Sequence, residues 1–276
     1  MLKLNHRADF TRGGGALGSL NSPCFTLAEV LITLGIIGII AAMTIPNLMG
    51  AYRKRVVETE LKKSYSEFTQ IIQRSQADNE DAIYWNWPYT GGMTGTNTVD
   101  PEEFFQKYFG RYMKITQTIK QNSENYKVYD STGALHNFVG DYGNESTKNF
   151  TRWHELADGR AVLFSTYTTF NSDSIATKES GTVGRFYVST TNRGNKKFVG
   201  GKNLFSFTLE IRNGKLVPTA NAYPVWTCAY LDKQRDTFLE LCRAYTGNSG
   251  ISTPEYCTYI IYCNNWKIPD DYPIKF

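Results

Sequence analysis

The chain has 276 residues and a net charge of +4, with one residue in five charged. That length suits a single good-sized core, and the charge is too near neutral to argue for nucleic acid by itself. No Gly-x-Ser-x-Gly, phosphate-binding loop or His-Glu-x-x-His pattern is present to carry hydrolysis, nucleotide binding or zinc chemistry.

The first 24 residues are polar, with Lys3, Arg7 and Arg12 against Asp9, and the run Gly13-Gly14-Gly15 disfavours stable structure. Phe25 to Pro46 follows, reading FTLAEVLITLGIIGIIAAMTIP. It is apolar almost throughout and carries one charge, Glu29. As a helix at about 1.5 Å per residue it is roughly 30 Å long, the thickness of a bilayer's hydrocarbon core. An ionised carboxylate inside such a segment costs roughly 3 kcal/mol. Glu29 is therefore expected to have a partner.

Phe25-Thr26-Leu27-Ala28-Glu29, then Val30-Leu31-Ile32, then an apolar run closing at Pro46, resembles the N-terminal cleavage and methylation segment of type IV pilins and type II secretion pseudopilins. Three coupled features carry the resemblance: an aromatic start, a glutamate at the fifth position and a proline at the twenty-second. The resemblance implies that residues 1–24 are a leader, clipped between Cys24 and Phe25 by prepilin peptidase, and that Phe25 is then N-methylated. It implies that residues 25–46 form a transmembrane and filament-core helix, and that 47–276 form the globular domain together with the helix's second half. The family usually has Gly before the cut, and this chain has Cys24 after Pro23, where a side chain crowds a tight pocket. A lipoprotein reading of Cys24 lacks support, because Asn21-Ser22-Pro23 is neither apolar nor small enough.

Other subunits, the peptidase, the inner-membrane assembly platform and the bilayer are the partners so implied. In a filament, the Glu29 carboxylate would meet the Phe25 amine of a neighbouring copy inside an apolar core, where attraction is strong and an unpaired charge expensive. The bland alternative is that Glu29 snorkels to the membrane surface. Leader cations favour a cytoplasmic N-terminus, whereas Arg53-Lys54-Arg55 pulls the other way. The resemblance decides for an N-terminus inside, with the rest outside the inner membrane or in a periplasmic or cell-surface filament.

Beyond Pro46 the helical period resumes. Val57, Leu61, Tyr65, Phe68, Ile72 and Ser75 recur at steps of three and four, predicting one helix from Phe25 to about Gln76. Pro46 removes one backbone bond and is expected to kink or loosen it. Gly35 and Gly38 permit close helix approach but are common in membrane helices anyway. Residues 78–95 are aromatic and loop-like. Asp100-Pro101-Glu102-Glu103 is a helix start, followed by Phe104, Phe105, Tyr108, Phe109 and Tyr112 as a core stripe. Residues 117–149 read as surface loops with a short strand near Lys127-Val128-Tyr129.

Strands are predicted at 153–156 and 161–167 around Asp158-Gly159, at 185–189, and at 204–211 turning through Asn213-Gly214 into 215–217. Thr258–Cys263 alternates and reads as a strand, with Trp266–Ile268 returning beside it. The order gives an α+β fold, a long helix across an antiparallel meander with a disulfide-tied end. This is also the pilin layout that the resemblance implies.

Cys228, Cys242, Cys257 and Cys263 form an even cluster and read as two disulfides made in an oxidising compartment. Zinc is the rival, but no C-x-x-C pair is present and neither His136 nor His154 is near in sequence. If 258–263 is extended, Cys257 and Cys263 lie about 20 Å apart, beyond the roughly 7 Å of a disulfide. Of the two remaining schemes, Cys242–Cys257 with Cys228–Cys263 is preferred because the first closes the shorter loop; the other stays open.

The run 188–197 has no acid and three cations, so no metal is expected there; with Arg185 and Lys202 it is a candidate basic patch or a solvated turn. His154 beside Glu155 reads as a strand-surface pair. No cofactor is expected. A structural filament subunit is the first functional reading. The alternative is a membrane-tethered binding module, an adhesin or DNA-uptake pilin whose helix only anchors it. A tethered enzyme would need a converging polar pocket that the sequence does not name.

Overall fold

A computed structural model describes residues 25–88, 99–119, 126–136, 152–166, 180–190, 197–220, 226–244 and 253–276. The chain divides into two compact units, Met1–Asn47 and Leu48–Phe276. Helix α1 (Leu27–Asn79) begins in the first and continues into the second. It runs through Pro46 rather than ending there, with one backbone hydrogen bond fewer because proline has no N–H. The leader and Cys24 lie outside the described residues.

In the first unit α1 is bare. Leu31, Ile32, Leu34, Ile36, Ile37, Ile39, Ile40, Met43 and Ile45 are all more than half exposed. The helix is long and apolar enough to cross a membrane, with a mean hydropathy of 2.2 over its most apolar window.

In the second unit α1 is amphipathic and buries the expected stripe. Val57, Leu61, Phe68, Ile72 and Ser75 are buried, and Tyr65 is half-buried. Phe68 stacks on Phe186 at 4.6 Å and meets Phe207 at 5.5 Å. Each such apolar side chain contributes about 1.5–3 kcal/mol on leaving water.

The strands, in chain order, are β1 (Ile115–Ile119), β2 (Val128–Tyr129), β3 (Leu135–His136), β4 (Trp153–Leu156), β5 (Ala161–Thr166), β6 (Ser180–Ser189), β7 (Phe198–Val199), β8 (Leu204–Arg212) and β9 (Lys215–Thr219). Six form an antiparallel sheet in the order β1-β4-β5-β6-β8-β9, and three form a small sheet, β3-β2-β7. Side chains alternate across the large sheet. Phe164, Phe186, Phe207 and Leu209 join the core with α1, whereas Leu163, Tyr187 and Leu204 join a second core with Trp153 and Phe198. Asn213 and Gly214 both take positive φ, 49° and 76°, as a two-residue hairpin turn requires.

Both edges of the large sheet are managed. On β9, Leu216 N donates to Gln76 Oε1 at 2.9 Å, and Gln76 Nε2 donates to Leu216 O at 3.2 Å. One amide side chain thus stands in for a neighbouring strand, and Pro218 has no N–H to offer. On β1 the register shifts between Ile115 and Gln117, a bulge that spoils the edge for pairing. β1 itself lies partly in the stretch read as loops, because its exposed uncharged residues show no alternation.

Helix α2 (Pro101–Tyr108) starts where expected, with Asp100 Oδ1 accepting from Glu102 N at 2.6 Å and Glu103 N at 3.3 Å. Phe104, Phe105, Tyr108 and Phe109 are buried, and Tyr112 is half-buried.

The last part of the chain differs from the sequence reading. Residues 253–263 are helix α5 (Thr253–Cys263), not a strand, and Trp266–Ile268 is not a returning strand. Thr253 to Ile261 are all buried, so the helix is surrounded on every side and shows no 3.6-residue polar period. Two shorter helices precede it, α3 (Cys228–Lys233) and α4 (Arg235–Arg243). The disulfides are Cys228–Cys263 and Cys242–Cys257, so each staples one short helix to α5. On α5, Cys257 and Cys263 are separated by about 9 Å of helix rise, which keeps them from each other for a different reason than extension.

Gly201 makes the α5 contact possible. Its φ is +75°, and a Cβ there would lie 2.2 Å from Cys257 Sγ. Gly201→Ala is expected to destabilise the fold by about 2–4 kcal/mol, from left-handed strain plus overpacking. Urea unfolding measures this, and a loss under half a kilocalorie would contradict the packing described.

Candidate functional site

The N-terminal segment is the first candidate. Thr26 precedes the first helical residue and Glu29 is the third residue of α1. Thr26 N and Oγ1 both donate to Glu29 Oε2, at 2.9 and 2.8 Å, and Glu29 N donates to Thr26 Oγ1 at 3.2 Å. This is a capping box: a Thr and a Glu three apart satisfy each other's backbone amides. The sequence signal was there in Thr26-Leu27-Ala28-Glu29. It gives Glu29 a partner in its own chain, which the reading from the apolar run alone overlooked. Among the described residues only Oε2 accepts a hydrogen bond. Phe25 is 81% exposed beside it. Gly35 and Gly38 have nothing near the position of a Cβ, so that face of the helix is open.

Among the described residues of the second unit, three of the places where polar side chains gather centre on buried Arg160, Arg185 and His154. Arg160 is buried and reaches three groups. It donates from Nη1 to Ser64 Oγ at 2.7 Å, from Nε to Asp158 Oδ2 at 2.7 Å, and from Nη2 to Glu67. Lys63 Nζ closes the network on Asp158 at 3.1 Å. The β4–β5 hairpin is thereby bolted to α1. Beside it lies an open groove of about 440 Å³, whose lining includes Ile71, Met113, Leu156, Arg74 and Lys114.

Arg185 is the second place. It is buried, with Nη1 3.7 Å from Glu255 Oε1, and Tyr187 Oη donates to the same oxygen at 2.7 Å. Arg185 therefore does not belong to an exposed basic patch. Lys202 is exposed, and residues 191–196 of the proposed patch lie outside the described residues.

The third place is His154. It is fully buried rather than on a strand surface, because neighbours on a strand point to opposite faces. Its ring stacks on Phe105 at 4.5 Å, Nδ1 lies 3.1 Å from Thr118 Oγ1, and Nε2 is 3.3 Å from Glu102 Oε1. Glu155 turns the other way and accepts from Tyr126. The side chain of His136 lies outside the described residues. Among the described residues no group of three or more His, Cys, Asp or Glu converges as a metal site.

Glu102 is a carboxyl held well below the usual range. Burial pushes its carboxyl up, but the His154 ring, Gln106 Nε2 at 2.9 Å and Arg152 N at 2.9 Å outweigh this and hold it down to about 2. A depressed carboxyl stabilises the fold above its unfolded value of 4.5, and that contribution is lost as pH falls toward about 2. After discounting for partial exposure, Glu102→Gln is expected to cost about 1–2 kcal/mol at neutral pH. The gap to wild type should close between pH 4.5 and about 2. Acid unfolding curves of the two proteins measure it, and a gap constant over that window would refute the assignment.

No curated protein and no solved structure matches the chain. Residues 47–276 match a family of unknown function, DUF6613. That span takes in all of the second unit and leaves out Phe25–Pro46. By this match over most of its length, the chain belongs to the DUF6613 family.

Proposed function

We propose that this protein is a structural subunit of a filament of the type IV pilus or type II secretion pseudopilus kind. On this reading it is made with a leader, processed before Phe25 by prepilin peptidase and drawn from the inner membrane by an assembly platform. The folded unit then rides outside on its helix. The carrying observation is the coincidence of the Phe25, Glu29 and Pro46 pattern with a helix whose apolar surface is uncovered on every side. Such a surface requires lipid or other copies of itself. Bundled copies satisfy both the apolar surface and the second oxygen of Glu29.

A second reading has its own support. Because Thr26 already engages Glu29, the acid needs no neighbour merely to cap the helix. The segment then serves as an anchor for a tethered binding module. The polar clusters of the folded unit act as fasteners between elements, which supports a structural or binding role over a catalytic one in either case.

N-terminal mass analysis of the purified native protein separates the readings. A start at methylated Phe25 is expected for the filament subunit, and an intact Met1 would favour the anchor. Glu29→Val is expected to leave membrane insertion and cleavage intact and to lower the amount recovered in sheared filaments at least severalfold. Undiminished recovery of that variant would remove Glu29 from assembly.

A further inference from the structure

The folded unit has a distinctive end. Leu48, Met49 and Tyr52, on the first turns of α1 in this unit, are 70, 45 and 62% exposed. Arg53, Lys54 and Arg55 follow without a break. Consecutive helical residues are about 100° apart, so the three cations fan over roughly 200° of the helix surface. Arg53 and Arg55 are exposed and Lys54 is half-buried, and none has an ion-pair partner among the described residues. The fold brings a fourth cation. Phe276 O lies 3.6 Å from where a Cβ on Gly50 would sit, which places exposed Lys275 at the same end. Glu58, one turn further on, is engaged by the Ile268 amide at 2.9 Å.

We infer that this end docks on anionic membrane lipid, with Leu48, Met49 and Tyr52 at the level of the acyl-chain boundary and Arg53, Lys54, Arg55 and Lys275 on the lipid phosphates. The order along the chain carries the assignment: bare aliphatic residues, then a tyrosine, then cations. It follows the layering of a bilayer interface from hydrocarbon to headgroup, where tyrosine is enriched and basic residues are drawn to anionic lipid. A soluble acidic partner would answer the cations and leave Leu48 and Met49 uncovered. The inference rests on reading Phe25–Pro46 as the membrane span. It adds that the folded unit itself holds the bilayer surface before assembly, and that leaving the membrane means breaking phosphate contacts.

The test uses the full chain purified in neutral detergent micelles, offered phosphatidylglycerol or phosphatidylcholine, with retained lipid counted by native mass spectrometry. Wild type is expected to retain phosphatidylglycerol over phosphatidylcholine by on the order of tenfold, and Arg53→Gln/Lys54→Gln/Arg55→Gln to lose most of that preference. Lys275→Gln should lose part of it. The wild-type preference should also fall as salt rises from 0.1 to about 1 M, where screening shortens to about 3 Å. This series needs no variant. Equal retention of the two lipids, or a preference unchanged by both salt and the triple substitution, overturns the proposal. So does binding of a DNA duplex by the same cations without lipid preference. Alkaline carbonate extraction from vesicles tests the span separately. Release of the wild type sinks the span reading and this inference with it, whereas retention without lipid preference sinks the inference alone.

Discussion

An apolar helix surface that the described residues leave bare is the constraint on which everything else here turns. Leu31 to Ile45 present one large aliphatic side chain after another to the outside. Water is a poor solvent for such a surface, and no soluble monomer carries it without cost. The same helix, past Leu48, buries Leu61, Phe68 and Ile72 against a sheet in the ordinary way. One continuous element therefore needs two surroundings. The second is supplied by the folded unit, and the helix that needs the first is long and apolar enough to cross a membrane.

Glu29 is the one charge in the bare part of the helix. A carboxylate in an apolar segment is expensive unless its oxygens are satisfied. Thr26 answers one oxygen at little entropic cost, because the two residues are a single turn apart. The other oxygen is what a neighbouring amine would have to reach. The capping box thus sets the carboxylate in one rotamer, and a partner from outside would meet an acid already aimed rather than a mobile one.

The folded unit spends its buried polar groups on fastening. Gln76 closes a sheet edge, Arg160 bolts the β4–β5 hairpin to α1, and Glu102 with His154 ties α2 to β4. Two disulfides lock α3 and α4 onto α5. Each fastener joins different elements of the folded unit.

Much was legible from the residues alone, because the signals were local. The period of Val57 to Ser75, the cap at Asp100 and the turn at Asn213-Gly214 each depend on a few neighbouring residues. The apolar run from Phe25 to Pro46 was equally plain, since length and composition alone set whether a helix can span a bilayer. What the sequence hid was set by distant neighbours. Thr253–Cys263 mimics a strand because a helix packed on all sides has no polar face, although Thr253-Pro254-Glu255 at its start was a helix signal. Arg185 and His154 looked like surface residues, and their burial was decided by Glu255 and by α2, 70 and about 50 positions away. Local chemistry determined where the elements are and which surface is bare. Only the tertiary structure decided which charges are buried and which cations are left facing outward, because burial depends on what packs across a residue and not on what precedes it.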